Sequence, residues 1–473
     1  MFHIFSADKK EMVPVSLYNT LTKKQELVNP IVPGEIRLYT CGPTVYSEPQ
    51  IGNLRAYIFS DTLKRTLQNA GYTVHQVINI TDVGHLVSDA DDGEDKMEKA
   101  AAKSGERAED IAKRITEIFF ENLRDLNCDV ETTQFPRATE YIKEQIALVQ
   151  TLEEKGYTYP TSDGIYFDTS RFPAYGALGG IDIEGLKAGA RVAVSNEKRN
   201  PTDFALWKFS PSTGGQRQQE WQSPWGMGFP GWHIECSAMS RALLGKHLDI
   251  HTGGIDHIPV HHNNEIAQSE CGSGEKFVNI WMHNAFLTID GNRIGKSVGN
   301  AITLREVMSQ GYDPLAIRYL FLGAHYRSQM NFSFEALDGA QSALKRLRAF
   351  ATEHYNPDKG KPIPAVMEQI LEACTDDLGT AQALAAVFAM LNFSAYKVED
   401  KAQTLVASDM FFGLKFLQKD TDVVPESIQK MLQEREQART EKRWKDSDSI
   451  RDAIGELGYI VKDTHEGQKI EKK

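Results

Sequence analysis

Residues 36–70 limit what this chain can become. Ile36 to Thr40 is a short apolar run with strand character, and Leu54 to Ala70 has helical spacing. Between them, residues 41–53 read Cys-Gly-Pro-Thr-Val-Tyr-Ser-Glu-Pro-Gln-Ile-Gly-Asn. A strand, a Gly/Pro loop and a helix in that order form half of a nucleotide-binding unit, with free backbone N–H groups facing an anion. Val74 to Ile80, β-branched and bounded by Gly71 and Thr81, adds the next strand. The opening is therefore βαβ, and it predicts a parallel sheet of Rossmann type.

The 473 residues are enough for several domains with ample core. A net charge of -12 argues against non-specific DNA binding, while leaving room for a local basic surface. The five cysteines, Cys41, Cys128, Cys236, Cys271 and Cys374, are odd in number and widely spaced. That pattern predicts free thiols in a reducing cytoplasm. With no 18-residue apolar run and no signal-like start, the expectation is a protein neither secreted nor membrane-spanning.

Residues 1–35 read as a polar cap on the first strand. The acidic run Asp89 to Asp95 resembles a calcium loop with its glycine one position early, so a solvated loop is expected. Residues 95–158 are helical in pattern. Residues 160–225, rich in Gly, Pro, Ser and Thr, read as an insertion between two halves of the nucleotide fold. The divisions expected are 1–135, first half of the catalytic domain; 136–225, connective insertion; and 226–310, second half. A helical bundle at 311–420 and a small α+β domain at 421–473 follow.

His261 and Glu265, i and i+4, share one face of a helix about 6 Å apart. Thiolates from Cys41 and Cys236, each expected at a strand end, would complete a tetrahedral zinc site. Four unrelated structural residues explain the same spacing, because the set is scattered rather than in a CxxC pattern. His262 lies a further 100° around the helix and reads as a hydrogen-bond partner rather than a ligand.

Gly291 to Ser297 almost matches a P-loop, but its glycines stand three residues apart instead of four. Lys296 there can still bring an ammonium to developing phosphate charge. Gln50, at the start of a helix, offers a donor to an α-phosphate, and Gly52 lets adenine lie against backbone. A surface turn and an unliganded helix start are the plain readings of these two stretches.

Together these residues resemble a family, the class I aminoacyl-tRNA synthetases and, within it, the cysteinyl-tRNA synthetases. The resemblance rests on Cys41-Gly-Pro-Thr-Val-Tyr46, Asn79-Ile-Thr-Asp82, Arg199-Asn-Pro-Thr-Asp-Phe-Ala-Leu-Trp207 and Pro230-Gly-Trp-His-Ile-Glu-Cys-Ser-Ala-Met239. It continues through Asp249-Ile-His251, His261-His-Asn-Asn-Glu-Ile-Ala-Gln-Ser269, His325-Tyr-Arg327, Lys445 to Asp452 and Asp463-Thr464.

The resemblance implies one Zn²⁺ held by Cys41, Cys236, His261 and Glu265, binding the substrate thiolate. It places Gly42, Tyr46, Thr81, Trp232 and His251 around the amino acid, and Pro43, Thr44, Gln50, Gly52, Asn53, Arg293, Lys296 and Ser297 around ATP with its Mg²⁺. Gln50, Asn53 and Lys296 take the catalytic roles. The implied activity joins L-cysteine to cysteine tRNA through cysteinyl-adenylate, in a monomer whose helical bundle and tail contact the tRNA. Where the family usually has His-Ile-Gly-His, this chain has Gln50-Ile51-Gly52-Asn53; where it usually has Lys-Met-Ser-Lys-Ser, it has Arg293-Ile294-Gly295-Lys296-Ser297. Gln50 donates a hydrogen bond but carries no charge, which implies a slower activation step. Two alternatives keep the same residues: a ligase joining cysteine to an amino sugar, and a non-catalytic tRNA-binding paralogue.

Overall fold

The computed structural model describes residues 12–83, 96–180, 197–210, 217–289, 291–294, 300–419, 426–464 and 467–472. The acidic run 89–95 lies outside them.

The centre is a five-stranded sheet in which every neighbouring pair is parallel. Its order is Val278–Asn284, Leu248–Gly254, Glu35–Thr40, Thr73–Ile78, Thr133–Gln134. The chain builds outward from Glu35–Thr40 in one direction, then returns to that strand's other side with Leu248–Gly254. Strand order thus reverses between these two, and at such a switch point the crossovers diverge and leave a crevice at the carboxyl ends. Cys41, the first residue past Thr40, sits at its mouth, its N–H donating to the Thr252 carbonyl at 3.0 Å. The helix Ile51–Asn69 leaves the same mouth and buries Leu54, Ile58, Leu63 and Leu67 in the core.

Between the halves lies an antiparallel sheet in the order Thr158–Pro160, Gly164–Phe167, Phe204–Phe209, Gly226–Pro230, Trp221–Ser223. Its Phe167, Phe204 and Trp207 pack with Leu148 and Leu152. Two expectations need correction. Cys236 lies inside the helix Trp232–Leu244, not at a strand end. The strand Gly226–Pro230 runs straight into that helix at Gly231, where a Cβ would stand 2.0 Å from the Ala205 carbonyl oxygen, so the turn takes no side chain. Part of the polar cap is ordered: Ser16–Asn19 and Lys24–Leu27 form an antiparallel pair, turned through Lys23 at φ 58°. Its alternation places Leu17 and Asn19 inward, which isolated apolar positions concealed.

The helices Pro314–Leu322, Phe334–His354, Pro364–Thr375, Thr380–Asn392 and Val398–Phe412 bury Leu344, Leu347, Ile370, Leu405 and Phe412 in a core of their own. Proline opens two of them, where its missing N–H costs nothing. Arg318 ties this bundle to the parallel-sheet half through Asp61 and the Leu126 and Phe412 carbonyls. The tail pairs the helices Glu426–Thr440 and Trp444–Glu456 with the hairpin Tyr459–Thr464 and Gly467–Lys472. Buried Arg435 reaches Asp463 and Gln468 across it. The five cysteines are free thiols. Among the described residues no helix is long and apolar enough to cross a membrane.

Candidate active site

A cleft of about 600 Å³ opens at the switch point. Its walls include Cys41 to Thr44, Tyr46, Thr81, Trp232, Cys236 and His261, together with Gln50, Gly52, Asn53, Phe286 and Ile294. A larger hollow of about 830 Å³, between Asp82, Arg107, Arg137 and Trp221, has no cysteine or histidine among its described lining residues. The smaller cleft is lined by the thiols of Cys41 and Cys236 and the imidazoles of His257 and His261, so its chemistry is the more informative.

The loop after Thr40 is held in place by the ends of the neighbouring strands. Gly42 N–H donates to Asn79 Oδ1 at 2.8 Å, Thr81 N–H to the Pro43 carbonyl at 3.0 Å, and Val45 N–H to the Thr81 carbonyl at 3.1 Å. Asn79 Nδ2 donates to Thr81 Oγ1, which donates onward to Glu235 Oε2 at 3.1 Å. Asn79 and Glu235 are site residues the sequence reading did not single out, though both lie inside the stretches it quoted.

Four distant residues meet here. One ligand atom from each of Cys41, Cys236, His261 and Glu265 lies within 4.8 Å of all the others, and all four residues are buried. His261 Nε2 stands 3.1 Å from Glu265 Oε1, and its Nδ1 is 2.8 Å from His233 Nδ1. The other carboxylate oxygen, Oε2, is 2.9 Å from His251 Nε2. Cys41 Sγ is 3.2 Å from His262 Nε2, within hydrogen-bond reach.

Protonation follows from this crowding. Burial pushes the Cys41 thiol well up, reinforced by its hydrogen bond to Cys236. That same bond holds Cys236 below the usual thiol range against its own burial. Burial alone would lower His261, but the Glu265 carboxylate and the Cys236 sulfur raise it to about 10. Glu265 would be raised by burial, yet His251 and His261 hold it well below the carboxylate range. A lowered thiol and a lowered carboxylate therefore crowd the His261 imidazole in a buried place, where charge is costly unless paired. A divalent cation shared by the four would hold these donors to one centre in place of the protons. Two sulfurs, one imidazole and one carboxylate make a tetrahedral zinc-type set.

The end of the cleft expected to take the nucleotide is a helix N-terminus. Gln50 caps Ile51–Asn69 with extended backbone, and its N–H donates to Asn53 Oδ1 at 3.0 Å. That bond turns the amide oxygen of Asn53 toward the cap. The turn is clamped from behind by Ile302 and Thr303: Ile51 N–H donates to the Ile302 carbonyl, and Gln50 bridges Thr303. A Cβ on Gly52 would meet Ile294 Cδ1 at 3.0 Å, which keeps this wall flat. Lys296, Ser297 and the Arg293 side chain lie outside the described residues. Trp232 lines the cleft with its ring 4.6 Å from that of His261. His251 is fully buried behind Glu265 rather than on the cleft wall.

Known proteins match on both sequence and fold. Residues 27–342 match the family described as "tRNA synthetases class I (C) catalytic domain", and residues 421–470 match "Cysteinyl-tRNA ligase anticodon binding domain". Cysteine--tRNA ligase 1 of Burkholderia lata is 48% identical over 461 residues, covering 97% of each chain. Cysteine--tRNA ligase of Treponema denticola is 41% identical over 482 residues, covering 95% of this chain and 98% of the relative. Methionyl-tRNA synthetase of Mycobacterium tuberculosis, solved with methionyl-adenylate, is similar in fold with a TM-score of 0.55 at 15% identity, over 84% of this chain and 93% of the other.

Proposed function

This chain belongs to the cysteine--tRNA ligase family of class I aminoacyl-tRNA synthetases, and from that premise we infer that its cleft activates L-cysteine with ATP and passes the cysteinyl group to cysteine tRNA. The observation that carries this reading is the buried Cys41, Cys236, His261 and Glu265 set, of which the first three line the same cleft as a helix N-terminus. Bound by those four, a zinc ion supplies a Lewis acid for a thiolate, a contact that serine's hydroxyl does not match near neutral pH.

The remaining work falls to the chain's own groups. Trp232 walls the pocket against larger side chains, beside the fixed Thr81 hydroxyl. Gly42, Pro43, Thr44 and Tyr46 line the passage between amino acid and nucleotide. The start of Ile51–Asn69 turns its positive dipole end toward the phosphates, although the Ile51 and Asn53 N–H groups are already engaged by Ile302 and Gln50, and the Gln50 amide donates without charge. Gly52 keeps backbone open to adenine, Asn53 keeps its Nδ2 for the ribose or phosphate, and Arg293, Lys296 and Ser297 are assigned to the phosphates with their Mg²⁺. The substrate carboxylate attacks the α-phosphorus in line, pyrophosphate leaves, and the terminal ribose hydroxyl of the tRNA then takes the cysteinyl group.

We assign residues 1–135 and 226–310 to the catalytic domain, 136–225 to the insertion, 311–420 to stem contact and 421–473 to the anticodon. The tail argues against the amino-sugar ligase, which has no anticodon to read. The protein is assigned as a cytoplasmic monomer. Cysteine-dependent ATP–pyrophosphate exchange, followed by charging of cysteine tRNA, tests the function. Exchange that proceeds with cysteine but charges no tRNA favours the amino-sugar ligase, and no exchange at all favours the non-catalytic paralogue.

A further inference from the structure

Behind the cleft, the same cluster contains a second set of four. One ligand atom from each of Cys41, His251, His262 and Glu265 also lies within 4.8 Å of the others. The two sets share Cys41 and Glu265 and differ in the other pair. We propose that Cys41, His251, His262 and Glu265 form a second, closed seat for the same zinc-like ion, occupied in place of the open one. The proposal rests on the functional reading above.

Three features carry it. First, Glu265 faces both ways: Oε1 is 3.1 Å from His261 Nε2, and Oε2 is 2.9 Å from His251 Nε2. Each oxygen already addresses one imidazole of each set. Second, His262 has the outer support of a metal ligand. Its Nε2 is 3.2 Å from Cys41 Sγ, its Nδ1 is 2.7 Å from His283 Nε2, and His283 Nδ1 is 2.8 Å from Thr20 Oγ1. With Nε2 given to an ion, Nδ1–H donates to His283, whose own N–H donates to Thr20, and the relay is satisfied throughout. Third, the charges suit a dry place. A divalent ion with one thiolate, one carboxylate and two neutral imidazoles is neutral overall, whereas the open set leaves one negative charge.

The seats differ in access. Cys41, Cys236 and His261 line the cleft, while His251, His262 and Glu265 do not and are fully buried. Trp281 packs against both histidines, its ring stacked 4.6 Å from that of His251 and tilted at 4.9 Å from that of His262. A site with four protein ligands and no open position holds an ion without presenting it to substrate. His251 is the weakest member, since its Nδ1 has no partner among the described residues to fix the ring.

The test is metal content after exhaustive dialysis, read with circular dichroism and with cobalt in place of zinc. The double variant Cys236→Ala/His261→Ala strips the open seat to its shared pair. It is expected to keep about one ion per chain, with roughly half the wild-type thiolate-to-cobalt absorbance because one of two sulfurs remains. Adding His262→Ala is expected to empty it. A folded double variant that binds no metal, beside a loaded wild type, overturns the closed seat and leaves the functional reading intact. A wild type without metal overturns both. If the double variant does not fold, His262→Phe decides: the proposal expects faster release of zinc to a chelator in the absence of cysteine, and an unchanged rate overturns it.

Discussion

Gly42 and Asn79 meet so closely that a Cβ at position 42 would stand 1.5 Å from the Asn79 carbonyl oxygen. The Gly42 N–H donates to the Asn79 side chain across the same gap. Two strand ends are thereby pinned together beside Cys41 and Thr81. Gly42→Ala must push them apart, and overpacking of this kind costs about 1–3 kcal/mol. We expect a lower urea midpoint and a loss of cysteine-dependent exchange larger than the stability change accounts for. Full activity in Gly42→Ala would show that the pinning is irrelevant to the pocket.

Gln50 caps the nucleotide helix, but its amide carries no positive charge. Gln50→His adds a charge-assisted donor toward the phosphates. Restoring such a donor is worth about 10- to 1,000-fold in rate. ATP–pyrophosphate exchange should quicken by at least about tenfold, with little change in cysteine KM. An unaltered rate would mean that activation is already served from elsewhere in the cleft.

Asp61 is buried against Arg318 and Arg65. Burial raises its carboxyl, but the two guanidinium groups outweigh it and hold it below the ordinary value. The unfolded chain therefore binds this proton more readily than the folded one. The stability from Asp61 is complete above the unfolded value of about 3.9 and fades as pH falls through the folded one. Asp61→Asn leaves Arg318 buried without its counter-ion and should cost about 3–5 kcal/mol at pH 7. Urea midpoints of the two proteins should converge as pH drops below about 4; a constant gap would contradict the ion pair.

Asp377 joins the helical bundle to the N-terminal hairpin. It accepts from Tyr18 N–H, from the Tyr326 hydroxyl at 2.6 Å and twice from Arg327, from a backbone at φ 51°. Arg327 is two-fifths exposed, so its share is small. The buried Tyr326 hydroxyl is the greater loss, and Asp377→Ala should cost about 2–4 kcal/mol. Asp377→Gly relieves the left-handed backbone and should cost less, by roughly 1 kcal/mol. Thermal unfolding of the pair checks the order.

Chelation offers the most direct check on the metal. Stripping the ion should abolish cysteine-dependent exchange, and zinc should restore it. Cys41→Ser, which removes a ligand common to both proposed seats, should bind no ion after dialysis. Zinc retained at one per chain in Cys41→Ser would place the ion elsewhere.

Much of this was legible in local spacing. The helix at His261–Ser273 and its i, i+4 pair were readable because helical geometry fixes what shares a face. Strand Glu35–Thr40 and the helix after the loop followed from apolar period and bounding glycines. The helix carrying Cys236 was misjudged because its start is set by a close approach to Ala205, a contact across the insertion. Arg293 to Ser297 could be read only as a pattern. The clamp on Gln50 by Ile302 and Thr303 had no local signature at all.

By itself, the sequence determined which chemistry was possible: a phosphate-facing helix start, and enough sulfur, imidazole and carboxylate to bind one soft ion. Only the tertiary structure decided that Cys41 and Cys236 reach His261 and Glu265, because their meeting depends on how the return strand Leu248–Gly254 lies beside Glu35–Thr40. It also decided that Glu265 divides its two oxygens between two histidines on opposite sides. Periodicity records what neighbours along one element share; a site assembled from three separate segments exists only when the sheet closes.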